Sequence, residues 1–321
     1  MKYYLAPMEG ITGYIYRNAY EKYFHNIDKY FTPFIVTNQS RSLKTRELKD
    51  ILPDNNKNIN IVPQILTSDA EGFIITCEKL KEFGYKEVNL NLGCPVGTVV
   101  AKGKGSGFLA KREDLDRFLN EIFEMKDIKI SIKTRIGKDD PEEFYELIKI
   151  YNKYPIEELI IHPRTQRDFY GNKPNLDIFK EGLNLSKNPV CYNGDIFTAK
   201  NYKDFVSAFN TVDKIMLGRG IIANPGLMGE IVESSSIDKN TLKKFHDEIL
   251  ESYYDLFKED RNTLFKMKEL WSYMVYIFSD SKKYGKKIKK SQRIEEYKDA
   301  VSILFNEQSI IEGAGLFSSK N

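Results

Sequence analysis

Eight short apolar runs recur through the first two thirds of this 321-residue chain, and they restrict its fold more than any other feature. They are YYLA from Tyr3, KYFTPFIV from Lys29, INIVPQI from Ile59, EVNLNL from Glu87, IKISIKT from Ile128, ELIIHP from Glu158, PVCYNG from Pro189 and KIMLGRG from Lys214. Each is rich in β-branched or aromatic residues and apolar on both faces, as a parallel strand covered by helices must be. Their starts lie mostly 25–31 residues apart, close to the length of one βα unit. One longer gap, between the fourth and fifth runs, holds a glycine-rich loop.

The segments between the runs have helical periodicity. TGYIYRNAYEKYF follows Thr12 as N-cap, and SDAEGFIITCEKLKEFG opens on a capping-box pattern, Ser68 to Glu71, and closes at Gly84. REDLDRFLNEIFEM, DPEEFYELIKIYNKY and TAKNYKDFVSAFN behave alike. Eight strands alternating with helices predict a (βα)8 TIM barrel, over residues 1–239, in preference to a doubly wound sheet. From 240 to 321 the strand signal stops and helical periodicity takes over, which predicts a smaller all-helical domain. Within it, Lys282 to Arg293 carries seven Lys or Arg and no acid, an edge suited to a polyanion.

Bulk composition sets bounds on function. Lys+Arg 49 against Asp+Glu 46 leaves a formal charge of only +3, so any basic surface must be local. Three cysteines without a CxxC pair argue against a disulfide framework or a structural zinc, and no metal site is expected. Cys77 reads as a buried helix position, Cys191 as barrel core, and Trp271 as core of an apolar helix. The start MKYYLAPMEG lacks the features of a signal peptide, and no apolar run approaches a membrane span, so the expectation is a cytoplasmic protein without membrane attachment.

In a barrel of this kind, chemistry gathers at the C-terminal ends of the strands. Those ends carry Pro7-Met8-Glu9-Gly10, Gln64, Asn91 with Cys94, Lys133 with Arg135, His162 with Arg164, Asn193-Gly194-Asp195 and Gly218-Arg219-Gly220. The last two stand after strands seven and eight, a common place for a phosphate in such barrels, and Arg219 can add a bidentate contact. A lysine directed into a barrel mouth, as Lys133 is predicted to be, calls for an anion.

The motifs LAPMEGIT, PQILTSD, NLNLGCPVGTVVAKGKGSGFLAK, IKTRIG, IHPRTQRDFYG, NGDI and MLGRGIIANPGL together resemble the tRNA-dihydrouridine synthases of bacterial type. The resemblance spans Leu5 to Leu227, and the helical tail is similar to that family's tRNA-binding domain. It implies an FMN enzyme that reduces the C5–C6 double bond of particular tRNA uridines, in the D-loop or variable region, with NADPH or NADH as reductant. By position it implies that Pro7, Met8 and Glu9 lie against the flavin, and that Gln64 and Lys133 bond its ring system. It implies that His162 contacts cofactor or substrate, and that Asn193, Gly194, Asp195, Gly218 and Arg219 hold the phosphate. Asn91 would orient the base and Cys94 would be the catalytic acid. Hydride delivery to C6 leaves negative charge toward C5, where a thiol can give its proton, and Cys-Pro presents that thiol on stiff backbone. Arg135 and Arg164 are candidates to meet the base or its phosphates, Lys102 and Lys104 to clamp RNA, and Lys286, Lys287, Lys289 and Lys290 to contact phosphates.

Two departures from the better-known pattern, Gly97-Thr98 after Cys-Pro and HPRT in the sixth strand, bear on which uridine is the target. Two alternatives stay in view: a small-molecule FMN reductase of the dihydroorotate dehydrogenase or ene-reductase kind, and a tRNA-binding or folding protein with lost or secondary activity. A monomer is expected.

Overall fold

In the computed structural model, which describes residues 1–37 and 42–315, the apolar runs become ten short parallel strands. They are β1 (Lys2–Leu5), β2 (Lys29–Phe31), β3 (Ile35–Val36), β4 (Ile61–Val62), β5 (Gln64–Leu66), β6 (Glu87–Leu92), β7 (Lys129–Gly137), β8 (Leu159–Thr165), β9 (Val190–Tyr192) and β10 (Lys214–Leu217). The second and third runs are each split in two, around Pro33 and at Pro63, where no N–H is available to the ladder. The sheet order is β3-β5-β6-β7-β8-β9-β10-β1-β2-β4. Because β2 pairs with β4 and β3 with β5, the two split runs lie side by side and the ends of the sheet join. The fold is therefore the eight-run βα barrel that the periodicity predicts, followed by helices. The last six residues of the expected helical domain, 316–321, lie outside the described residues.

The chain forms two compact units. The first comprises Met1–Pro7, Lys29–Gly194 and Thr211–Met216 and carries the barrel strands. Tyr4, Ala6, Phe31, Val62, Ile160, Cys191 and Met216 form one buried cluster in it, and Cys77 is buried as expected. The helix Ala70–Glu82 ends at Gly84 with φ +88°, a left-handed position natural to glycine. Its capping box does not form: the helix starts one residue later than expected, so Asp69 is the N-cap and Gly72, without a side chain, occupies the third position. Where the strands begin, Lys29 Nζ lies 2.8 Å from Glu87 and 3.2 Å from Glu158, and Tyr4 Oη donates to Glu158 at 2.6 Å.

The second unit comprises Met8–Asp28, Asp195–Asn210 and the chain from Leu217 onward. Its C-terminal helices are Lys239–Phe257, Asp260–Met274, Ser281–Lys290 and Ile294–Glu307. The helix Tyr14–Tyr23 belongs with them because Tyr16, Tyr20, Tyr23 and Phe24 surround Phe245, with ring centroids 5.6, 6.5, 6.4 and 5.2 Å away. Its N-cap is Gly13 rather than Thr12, whose hydroxyl instead accepts the Met8 N–H at 2.7 Å and closes the preceding turn. Trp271 is core, donating to Tyr297 Oη at 2.7 Å. Among the described residues no helix is long and apolar enough to cross a membrane.

The second unit also carries a pH-sensitive element. His246 is buried, with Nε2 2.6 Å from Tyr297 Oη and Nδ1 2.9 Å from Asp247, and burial pushes its pKa down. A histidine held neutral stabilises the fold above its unfolded pKa of about 6.5 and loses that contribution as pH falls toward the lower folded value. The unfolding midpoint of this unit is expected to drop between about pH 7 and 5, and to drop less in His246→Phe. Equal slopes for the two proteins would exclude His246 as the cause.

Candidate active site

Strand alternation places one set of polar side chains on the first unit's strand ends. Gln64 opens β5, Asn89 and Asn91 are alternate residues of β6, and Ser131, Lys133 and Arg135 are alternate residues of β7. Register brings them together: Gln64 faces Asn89, Asn91 faces Lys133, and Arg135 faces His162. The amides connect into a relay. Asn89 Nδ2 donates to Ser131 Oγ at 3.0 Å, Gln64 Nε2 to Asn89 Oδ1 at 2.7 Å, and Asn91 Nδ2 to Gln64 Oε1 at 2.7 Å. The relay ends on backbone, where Asn91 Oδ1 accepts the N–H of Gly93 at 3.0 Å and of Cys94 at 2.9 Å. Asn91 thus fixes the position of Cys94, in addition to any contact with a ligand.

Cys94 is held from its other side too. Its carbonyl accepts the Ser106 N–H at 3.1 Å and the Ser106 hydroxyl at 2.8 Å. Gly105, at φ +56°, passes so close that an added Cβ would stand 2.8 Å from Cys94 O and 3.0 Å from Cys94 Cβ. The glycine-rich segment is therefore a compact fold beneath the cysteine, comprising Gly97–Val100 and Gly105–Ala110, while the Cys94 side chain stays partly accessible. Lys102 is exposed, and Lys104 is half-buried with its pKa lowered by that burial.

Lys133 is the most unusual group here. Among the described residues its ammonium makes no hydrogen bond or ion pair, and burial followed by the charge of Arg135 pushes its pKa down to about 8. A cation so placed is charged at pH 7 and loses its charge as pH rises through about 8. It is poised for an anion.

Arg135 is buried and bonds backbone carbonyls through all three of its guanidinium nitrogens. Its Nε donates to Gly93 O at 2.9 Å, Nη1 to Thr165 O at 2.7 Å and Nη2 to Phe169 O at 2.9 Å, and Tyr170 lies against it at 5.5 Å. The guanidinium staples the turn before Cys94 to the turn after β8. Arg164, also buried, donates to Asn172 O at 2.6 Å and lies 3.0 Å from His162 Nε2. Since arginine only donates, His162 Nε2 accepts and the ring proton sits on Nδ1. The His162 ring stacks with Tyr170 at 5.9 Å, and Phe169 and Tyr170 are 48% and 50% exposed. Sequence reasoning missed Asn89, Ser131 and Tyr170. The alternation Asn89/Asn91 inside an apolar strand was the available sign for the first.

Other expected site residues stand as follows. In the first unit, Asn193 donates to Met216 O at 2.8 Å, and a Cβ on Gly194 would stand 1.9 Å from Tyr192 Oη, so a side chain there would require Tyr192 to move. Pro7 ends this unit's first segment. In the second unit, Met8 and Glu9 enter a turn whose Gly10 carbonyl accepts from Lys266 at 2.6 Å, with Glu269 packed on Gly10. There too Arg219 pairs with Asp195 at 2.6 Å and lies over Phe197, just after Gly218. Lys286, Lys287, Lys289 and Lys290 line the exposed sides of Ser281–Lys290 and, among the described residues, form no ion pair.

The family described as dihydrouridine synthase (Dus) matches residues 4–312. The chain is similar to tRNA-dihydrouridine synthase B of Pasteurella multocida, 29% identical over 238 residues, covering 73% of this chain and 70% of that one. It is 28% identical over 227 residues to a probable tRNA-dihydrouridine synthase of Staphylococcus aureus, covering 69% of this chain and 68% of that one. Among solved structures, an old yellow enzyme homologue from Zymomonas mobilis aligns with TM-score 0.53 at 12% identity over 76% of this chain and 92% of that one. Histamine dehydrogenase from Rhizobium sp. 4-9 aligns with TM-score 0.56 at 12% identity, over 84% of this chain and 49% of that one. At such identities the structural likeness speaks for the fold alone.

Proposed function

Because the chain belongs to the dihydrouridine synthase family, an oxidoreductase family acting on tRNA uridine, we propose that it reduces C5=C6 of tRNA uridines with Cys94 as the acid. The observation that carries this reading is the amide relay from Ser131 to Asn91, which fixes the backbone of a partly accessible cysteine beside an unpaired lysine.

The donor set suits a flavin. Lys133 supplies a cation with no hydrogen bond or ion pair among the described residues, and Gln64 keeps one N–H and one lone pair beyond the relay. Bound FMN, re-reduced by NADPH or NADH, supplies the hydride that no side chain can. Gln64 and Lys133 hold the ring system, Lys133 stabilising negative charge near it. The family resemblance is what supports cofactor contacts for Pro7, Met8, Glu9, Asn193, Gly194, Asp195, Gly218 and Arg219.

The protein's part in the proton step falls to Cys94. The thiol proton goes to C5 of the substrate, the sulfur keeps the electron pair, and solvent restores the proton. Asn91 and Arg135 keep the thiol in place from the two sides of Gly93. Tyr170 and Phe169 offer aromatic surface for an extruded base, with His162 and Arg135 against Tyr170 and Arg164 held on His162. Lys102, Lys104 and the four lysines of Ser281–Lys290 contact tRNA phosphates, in the D-loop or variable region, and the enzyme acts as a monomer in the cytoplasm.

Lys133→Met tests the cofactor half. It is expected to slow flavin reduction by NADPH roughly tenfold or more, as loss of a charged hydrogen bond would, while FMN affinity changes less. Stopped-flow reduction beside an FMN titration gives both numbers. Unchanged reduction kinetics would remove Lys133 from this role.

A further inference from the structure

One exposed aromatic lies outside everything assigned so far. Phe265, in the helix Asp260–Met274, is 66% exposed, the highest value of any large hydrophobic side chain among the described residues. It lines a depression of about 730 Å³ together with Arg261, Asn262, Lys268, Glu259 and Gln292. That volume lies within the roughly 300–1,000 Å³ of small-ligand sites. Arg261, Phe265 and Lys268 are spaced i, i+4, i+7, so one helical face presents a cation, a ring and a cation. Arg261 has no ion-pair partner among the described residues, and Glu259 is turned to Asn262.

The far wall is the end of the cationic helix. Lys268 donates to Ser291 O, and Gln292 Nε2 donates to Lys290 O at 3.3 Å, which places the depression beside the C-terminal end of the lysine-rich helix Ser281–Lys290. Several other described surface lysines are paired with acids, among them Lys22, Lys81, Lys149 and Lys200.

We propose that this depression is a second nucleotide subsite, in which an unpaired base of the tRNA, distinct from the target uridine, stacks on Phe265. Lys268 and Lys290 meet the flanking phosphates, and the Gln292 and Asn262 amides face the base edge. The charge favours RNA over a protein partner: an exposed aromatic flanked along its helix by Arg261 and Lys268, neither in an ion pair within hydrogen-bond distance among the described residues, is a stacking platform with cations for the flanking phosphates. The inference rests on the tRNA reading above and adds where the substrate is gripped.

The test measures Kd for an unmodified tRNA transcript with the FMN-loaded protein at two salt concentrations. Phe265→Ala is expected to raise Kd roughly 5- to 150-fold, the value of one stacked base. That ratio should be nearly the same at both salts, whereas the ratio for Lys289→Ala/Lys290→Ala shrinks as salt rises. Phe265→Tyr should restore binding, which a merely structural role would not require, and the unfolding midpoint of each variant guards against misfolding. Phe265→Ala with wild-type affinity overturns the subsite while leaving the tRNA reading in place. A wild-type protein that binds no tRNA overturns the reading and the subsite together. A concentration-dependent dimer lost in Phe265→Ala, with tRNA affinity unchanged, would make the patch a surface for a second copy and contradict the proposal.

Discussion

Cys94→Ala is expected to lower dihydrouridine formation by about 10²–10⁴-fold, the usual contribution of a positioned general acid, while flavin reduction by NADPH keeps its rate. The substitution removes only the sulfur. The backbone that presents it stays fixed by Asn91 at its N–H and Ser106 at its carbonyl. A fall confined to the reaction with tRNA therefore reports loss of a proton donor, not collapse of the pocket. Asn91→Ala should act through the same step but more broadly, since it also breaks the relay to Gln64. Comparable losses of both half-reactions in Cys94→Ala would point to a role in shaping the cofactor site instead.

Lys29→Met is expected to destabilise the barrel by roughly 3–5 kcal/mol, the cost of stranding buried charge. Lys29, Glu87 and Glu158 have side-chain exposures of 15%, 14% and 6%, and Glu87 Oε1 has no partner even with the lysine present. Removing Lys29 leaves two largely buried carboxylates that have lost their salt-bridge partner, with Glu158 still held by Tyr4 Oη. Burial raises the pKa of Glu87, so the variant should recover part of its loss by taking up a proton as pH falls. Denaturant unfolding of the two proteins, at neutral and mildly acid pH, reads this directly. A difference under about 0.5 kcal/mol would show that the network is solvated and contributes little.

Much of this arrangement could be read before any coordinates. The βα repeat shows in the apolar runs, and Gln64, Asn91, Lys133 and His162 stand out as polar residues within them. They are not the last strand residues expected: Gln64 opens β5 after the break at Pro63, and β7 and β8 continue past Lys133 and His162. The relay was hidden because it depends on register: Asn89 meets Gln64 only because β5 and β6 pair at that offset. Arg135 looked open to a ligand for a related reason, since two of the carbonyls that occupy it come from a turn thirty residues further on. The compact units follow Phe245 and the tyrosines around it, and no local periodicity encodes which helix a distant aromatic will meet. Phe265 was passed over because its helix has an ordinary apolar pattern, and only the folded chain leaves that one ring outside.

The central claim is tested most directly by the reaction itself. The protein, loaded with FMN and supplied with NADPH, is incubated with tRNA from a strain lacking its own synthases, and dihydrouridine is measured by mass spectrometry of the digested nucleosides. The account predicts dihydrouridine at defined positions, and its loss in Cys94→Ala. A flavin-loaded protein that oxidises NADPH yet leaves every uridine intact would contradict the account and favour a small-molecule reductase.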